Sequence, residues 1–233
     1  WASGGDAFYI ATNERDSSAF DVYRYNADDY QRALVYENTD AYSIGDISPD
    51  GRWLALIQEI NNANNELVLL DLSSAVTDPV VIKGLQGDVN HRVFSFSPDN
   101  STLVYGTDAH GDFVQAWTYE FSTGKTAILV DAPWDVSYSF YSPSGRYRVT
   151  GINADASTQV SIVDNESGEA LDLDNLPPGD LRALRFSRDE STLAFGLNAD
   201  ISPTDLYTLS LKDLTVERLT DSLSPSIDRD ALV

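Results

Sequence analysis

The chain has 233 residues, 42% hydrophobic and 11% aromatic, which is enough apolar side chain for a core in one all-β domain of this size. Its 37 acidic against 15 basic residues give a net charge of −22, which repels phosphate backbones and anionic lipid and so excludes nucleic acid and anionic membrane surfaces as partners. No apolar run approaches the roughly 18–20 residues of a membrane span, and without Cys there are no disulfides and no thiolate metal sites.

The chain also lacks Met, which fits an internal fragment or a processed chain. Trp1-Ala2-Ser3-Gly4-Gly5 has neither the basic flank nor the apolar stretch of a secretion signal, so the compartment stays open between bacterial periplasm and cytoplasm. The acids are scattered rather than blocked, which describes a solvating surface. The sharper alternative is a negative field that draws cationic ligands towards a cleft.

The chain repeats itself. Ser3-Gly4-Gly5-Asp6-Ala7 is a degraded first copy of an element that returns as Ser48-Pro49-Asp50-Gly51-Arg52, Ser97-Pro98-Asp99-Asn100-Ser101, Ser142-Pro143-Ser144-Gly145-Arg146 and Ser187-Arg188-Asp189-Glu190-Ser191. The leading serines at 3, 48, 97, 142 and 187 are spaced by 45, 49, 45 and 45 residues. Pro presets φ for the second position of a turn, Asp bonds its own backbone and Gly permits positive φ. The element should therefore join the first strand of each repeat to the second.

The columns around it agree. The residue before each of the last four serines is Ile47, Phe96, Tyr141 or Phe186, with a weaker Ala2 in the first copy. Seven after it stand Ile10, Ala55, Val104, Val149 and Ala194; twenty after it, Tyr23, Val68, Trp117, Ile162 and Tyr207. Twenty-two after it stand Tyr25, Leu70, Tyr119, Asp164 and Leu209, so that Asp164 alone breaks the column. Apolar residues two apart mark strands with a buried face.

A second turn follows the third strand, as in Ser122-Thr123-Gly124-Lys125 and Asn165-Glu166-Ser167-Gly168. The third repeat then reads as strands over about 91–97, 102–107, 115–121 and 126–130. The extra length of the second repeat falls in Asn61–Asn65 or in Ser73–Asp78. Four strands per period of about 45 residues predict an all-β fold, a β-propeller of four-stranded antiparallel blades with five repeats present. One such sheet needs a neighbour on each side to bury both faces. A sandwich or jelly roll and a β-helix are the alternatives, and a β-helix would need much shorter repeats.

Phe96-Ser97-Pro98-Asp99 followed by Leu103-Val104-Tyr105, then Asp205-Leu206-Tyr207-Thr208-Leu209 and Arg218-Leu219-Thr220, resembles the TolB-type propeller repeat over nearly the whole chain. That repeat occurs in TolB, in stand-alone propellers and in the N-terminal domains of prolyl oligopeptidase family serine peptidases. Arg218–Ser222, Ser224–Asp228 and Ala231-Leu232-Val233 are similar to the stretch where acylaminoacyl-peptidase-like members leave the propeller. The resemblance implies propeller repeats over 1–220, a linker over 221–233, and an α/β-hydrolase domain beyond it. Such peptidases have seven or eight blades, and only Trp1-Ala2 precede the first copy's serine. The expectation is thus an incomplete or open part of a larger propeller, whose open blade edges invite self-association; the alternative is a closed five-bladed ring, in which the last strand would need a partner from Asp221–Val233.

No catalytic constellation is present in the sequence. Gly-x-Ser-x-Gly does not occur, and the histidines are His91, expected to open an inner strand, and His110, in the loop Asp108–Asp112. That loop has only part of a Ca²⁺ ligand set. Asp99 and Asp189 resemble the Asp-box turns of sialidases but lack their Gly and Thr. We therefore assign no catalytic, cofactor-binding or metal-binding residue and expect no cofactor. The resemblance implies a non-catalytic lid that admits peptides to a hydrolase domain; the alternative is a stand-alone periplasmic interaction propeller like TolB.

Overall fold

The computed structural model describes residues 1–2, 4–73, 78–82, 87–155, 157–199 and 202–228. The chain is all-β and of the β-propeller class, five successive antiparallel sheets with no helix among the described residues. The first sheet is β1 (Ala7–Asp16), β2 (Ala19–Asn26) and β3 (Arg32–Tyr36). The second is β4 (Ser43–Ile47), β5 (Trp53–Asn61), β6 (Asn64–Asp71) and β7 (Val80–Ile82), and the third is β8 (His91–Phe96), β9 (Thr102–Thr107), β10 (Gln115–Glu120) and β11 (Lys125–Val130). The fourth is β12 (Asp135–Tyr141), β13 (Tyr147–Ala154), β14 (Ser157–Asp164) and β15 (Glu169–Ala170), and the fifth is β16 (Asp180–Phe186), β17 (Thr192–Ala199), β18 (Ser202–Ser210) and β19 (Val216–Arg218). In every sheet the strands lie in chain order. The chain divides into two compact units, Trp1–Tyr141 and Ser142–Val233.

In the first unit the core lies between sheets. Leu54, Leu56 and Val68 pack with Tyr36 and Tyr42 on one side of the second sheet. Ala55, Ile57, Leu67 and Leu69 pack with Leu103 and Tyr105 on the other. This is why β5 reads as the unbroken apolar run Trp53–Ile57 rather than as an alternation: both faces are covered. Leu54 and Leu56 are fully buried, and each gains about 1.5–3 kcal/mol from leaving water. Gly45 lets β4 pack tightly on β8, since a Cβ there would stand 2.6 Å from Val93 Cγ2 and 2.9 Å from the Ala55 carbonyl oxygen. In the second unit Tyr147 stacks on Phe186 at 5.8 Å.

The serine turns are closed by their own side chains. Ser48 Oγ donates to Asp50 Oδ1 at 2.5 Å and accepts the Trp53 N–H at 2.8 Å, while Asp50 Oδ1 also accepts the Arg52 N–H at 3.0 Å. Ser97–Asp99 and Ser187–Asp189 repeat the pattern. The fourth turn residue has positive φ throughout: 73° at Gly51, 61° at Asn100, 84° at Gly145 and 55° at Glu190. Where it is not Gly, its side chain reaches the preceding turn in the same unit. Asn100 Oδ1 accepts the Asp50 N–H at 3.0 Å, and the Glu190 carboxylate accepts the Ser144 N–H and hydroxyl at 2.5 and 2.7 Å. These bonds offset the backbone strain of a side chain in the left-handed region.

The structure corrects the sequence register in three places. In the later repeats the serine N–H donates to the carbonyl five residues on; in the first copy Ala2 N donates to Ala7 O at 2.9 Å, and Gly5, at φ 72°, takes Gly51's place. Ala2 rather than Ser3 therefore occupies the serine position. With that shift Tyr9 faces the second sheet, its hydroxyl against Gly51, and Ile10 lies on the opposite face, 40% exposed.

Asp164 is the second correction. It pairs with Tyr147 as Asp71 pairs with Trp53, and it accepts from Arg146 as Asp71 accepts from Arg52. The strand pair β13–β14 has one residue fewer in its hairpin, so Asp164 fills the Asp71 position one residue early and interrupts no apolar column.

The third concerns the long second repeat. Asp71 and Glu120 both stand 23 residues after their serines, so the hairpin at 61–65 adds nothing. Leu69 pairs with Val80 eleven residues on, where Thr118 pairs with Ala127 nine on. Two extra residues thus belong to the β6–β7 connection and two to the β7–β8 connection; within Ser73–Asp78, residues 74–77 lie outside the described residues. So do 229–233, the end of the expected linker.

Candidate functional site

Four polar side chains, on the third strands of the second, third and fifth sheets and on β2 of the three-stranded first sheet, form a recurring buried feature that the sequence columns did not reveal. Asp21, Asn65, Gln115 and Asp205 are all buried, and each holds the segment that follows its sheet's fourth strand, or third strand in the first sheet. Asp21 takes a two-pronged contact from Arg15, both bonds at 2.8 Å, and the Asn38 N–H at 2.9 Å. Asn65 Oδ1 accepts the His91 N–H at 2.7 Å and its Nδ2 donates to His91 O at 3.2 Å. Gln115 makes the same reciprocal pair with Ala132, at 2.7 and 2.9 Å. Asp205 accepts from Arg218 Nη2 at 2.5 Å, Thr220 Oγ1 at 3.0 Å and Ser222 N at 2.8 Å. Burial pushes the Asp205 carboxyl up, but the bonds from Arg218, Ser222 and Thr220 outweigh it and hold it well below the usual carboxylate range.

The signal was present. Asp21, Gln115 and Asp205 each stand two residues before the aromatic Tyr23, Trp117 or Tyr207. A polar residue at the start of an apolar strand has to be bonded if it is buried. Asn65 and Gln115 bond backbone alone, while Asp21 and Asp205 also take Arg15 and Arg218 as ion-pair partners; with their bonds spent this way, all four act as clamps for the connections rather than as a reactive site.

The residues tested for chemistry are dispersed. His91 opens β8 and is 2% exposed, with neither ring nitrogen hydrogen-bonded. Burial drives its pKa down, opposed by the nearby charges of Asp108 and Glu66. His110 is exposed and stacks on Trp117 at 4.1 Å. Asp108 Oδ1 accepts the Asn90 N–H at 2.8 Å, tying its loop to the strand before β8. No group of three or more His, Asp or Glu side chains fit to hold a metal occurs among the described residues. Asp99 and Asp189 are consumed by their own turns: bonds from Ser187 and Ser191 hold Asp189 down at about 2.

Two surface features of the first unit remain. A cleft of about 290 Å³ runs between β1 and β4, lined by Tyr9, Ala11, Ile44, Gly45, Asp46 and Leu54 among others. It lies along β1, the edge of the three-stranded first sheet. Burial raises the Asp46 carboxyl, opposed by bonds from the Ile47 and Phe96 N–H groups. The second feature is an exposed aromatic pair. Phe113 and Trp134 are 38% and 41% exposed, with centroids 6.0 Å apart and planes inclined by 45°.

With sheets, turns and clamps described, the chain can be set beside known proteins. It aligns over 95% of its length with TolB from Acinetobacter baumannii at a TM-score of 0.66 and 17% identity, covering 53% of that chain. It aligns over 99% of its length with prolyl oligopeptidase B from Galerina marginata at a TM-score of 0.69 and 13% identity, covering 34% of that chain. At these identities the likeness shows the fold: the sheets are β-propeller blades. In sequence the chain is 27% identical over 135 residues to the uncharacterized peptidase YuxL of Bacillus subtilis (strain 168). That match takes in 58% of this chain and spans 20% of the peptidase. No protein-family model matches.

Proposed function

We propose that the chain is the non-catalytic propeller domain of a prolyl-oligopeptidase-like serine peptidase, which gates or positions peptides for a hydrolase domain outside this sequence. The observation that carries this reading is the sequence match to a peptidase, lying within repeats whose fold is shared with a prolyl oligopeptidase. The side chains support it. His91 is sealed in a core with unbonded ring nitrogens, His110 is stacked on an indole, and the buried acids Asp21 and Asp205 are held by Arg15, Arg218 and backbone N–H groups. A propeller placed over a hydrolase site would exclude folded protein while admitting short flexible peptides, a gating role.

The test has two arms. The purified chain should hydrolyse neither peptide nor ester substrates, and the parent protein should. Measurable turnover by the chain alone would overturn its non-catalytic role. A parent reading frame without a Gly-x-Ser-x-Gly within about 150 residues downstream would overturn the peptidase. A stop directly after Val233 would favour the second reading, a TolB-like interaction module, which the alignment with TolB over 95% of this chain also supports. The free edge of β1 beside its cleft is where an added strand would pair, from a second copy or from the parent chain.

A further inference from the structure

The aromatic pair at the end of the third sheet stands on a fixed backbone. Phe113 belongs to the β9–β10 connection, 108–114, and Trp134 to the β11–β12 connection, 131–134. The two connections are bound to one another. Asp135 Oδ1 accepts the Val114 N–H at 2.7 Å, Val136 N donates to Val114 O at 2.8 Å, and Gln115 clamps Ala132 from both sides. Single exposed apolar residues need no explanation. Two large rings side by side, each more than a third exposed and both anchored, leave aromatic faces open to a ligand.

Charge narrows what that ligand is. Residues 108–114 and 131–135 contain Asp108, Asp112, Asp131 and Asp135 and neither Lys nor Arg. The chain as a whole carries −22. An anion would be repelled, and a neutral apolar group would have to share the site with carboxylates. A guanidinium or ammonium group gains from both, stacking on an indole face while drawing on the acidic field of these two connections.

We propose that Phe113 and Trp134, in connections that also carry Asp108, Asp112, Asp131 and Asp135, form a recognition site for an arginine or lysine side chain of an extended peptide. The peptide nature of the ligand rests on the peptide-handling function proposed above; the preference for a cation rests on the site itself.

Binding rather than turnover tests it. A fluorescently labelled acetyl-Gly-Arg-Gly-Arg-Gly-amide and its citrulline twin, equal in shape but uncharged, are titrated with the purified chain at about 150 mM salt, where diffuse attraction is screened beyond about 8 Å. The arginine peptide should bind and the citrulline peptide should not. Trp134→Leu should weaken binding about two- to five-fold, as loss of one exposed cation–π contact implies, and Asp112→Asn with Asp131→Asn should weaken it further. Phe113→Leu gives the same reading on the other ring should Trp134→Leu alter the melting temperature. Equal binding of the two peptides, no binding, or indifference to both ring substitutions overturns the site. A parent enzyme that cleaves peptides while its propeller fails these titrations would retain the domain assignment and lose this one.

Discussion

Asn65→Ala isolates the clamp that ties the second sheet to the third. Asn65 is 4% exposed and makes two bonds to the backbone of His91. Truncation leaves the buried His91 N–H without an acceptor and removes one donor from its carbonyl. A buried unsatisfied group costs about 1–3 kcal/mol, so the pair should cost about 2–4 kcal/mol. For a chain of this size that corresponds to a fall of about 5–15 °C in melting temperature. Asn65→Asp keeps the acceptor for the His91 N–H but loses the donor, and should fall between. Calorimetry gives the shift, and hydrogen exchange locates it, because the His91 amide should lose protection ahead of the β5 and β6 amides. A shift below about 2 °C with unchanged exchange at His91 would show that the clamp adds nothing.

His91 should make the first unit acid-sensitive. Its pKa is depressed by burial, so the folded state binds fewer protons than the unfolded one; the stability is complete above about pH 6.5 and declines as pH falls towards the folded-state pKa. The melting-temperature gap between wild type and His91→Phe should therefore shift against wild type between about pH 7 and 5. Parallel curves would contradict this, as would proton NMR showing His91 titrating at or above the ordinary histidine value of about 6.5. Gly45→Ala places a methyl group 2.6 Å from Val93 Cγ2 and should cost about 1–3 kcal/mol by denaturant unfolding. Val93→Ala should relieve that only in part, because the Ala55 carbonyl remains 2.9 Å away. Asp164→Leu would improve the chain if Asp164 interrupted an apolar column; as the partner of Arg146 it should instead lower the unfolding midpoint.

Much of the fold was legible because it repeats. The third blade, expected over 91–97, 102–107, 115–121 and 126–130, is found at 91–96, 102–107, 115–120 and 125–130. Its turn chemistry is largely local: Ser97 and Asp99 carry the turn's own hydrogen bonds, and Asn100 takes the positive φ, though its side chain bonds the turn at Asp50. The errors arose where local pattern and strand pairing part company. Ser3 had the right residue type, yet the turn is set from Ala2 by the bond to Ala7. Asp164 looked like an exception until the shorter hairpin placed it opposite Tyr147. The polar clamps were hidden because the backbone groups they hold lie 17–26 residues away, which no side-chain pattern records.

By itself the sequence determined the period, the strand and turn chemistry of each repeat, and a charge that turns away anions, since these are written into neighbouring side chains. The tertiary structure alone decided which carboxylates are buried and bonded, where β1 is left as an edge, and that Phe113 and Trp134 meet in the open. The reason is distance along the chain. Sheets bury and expose residues through contacts tens of positions apart, and only the folded backbone determines which of those contacts are made.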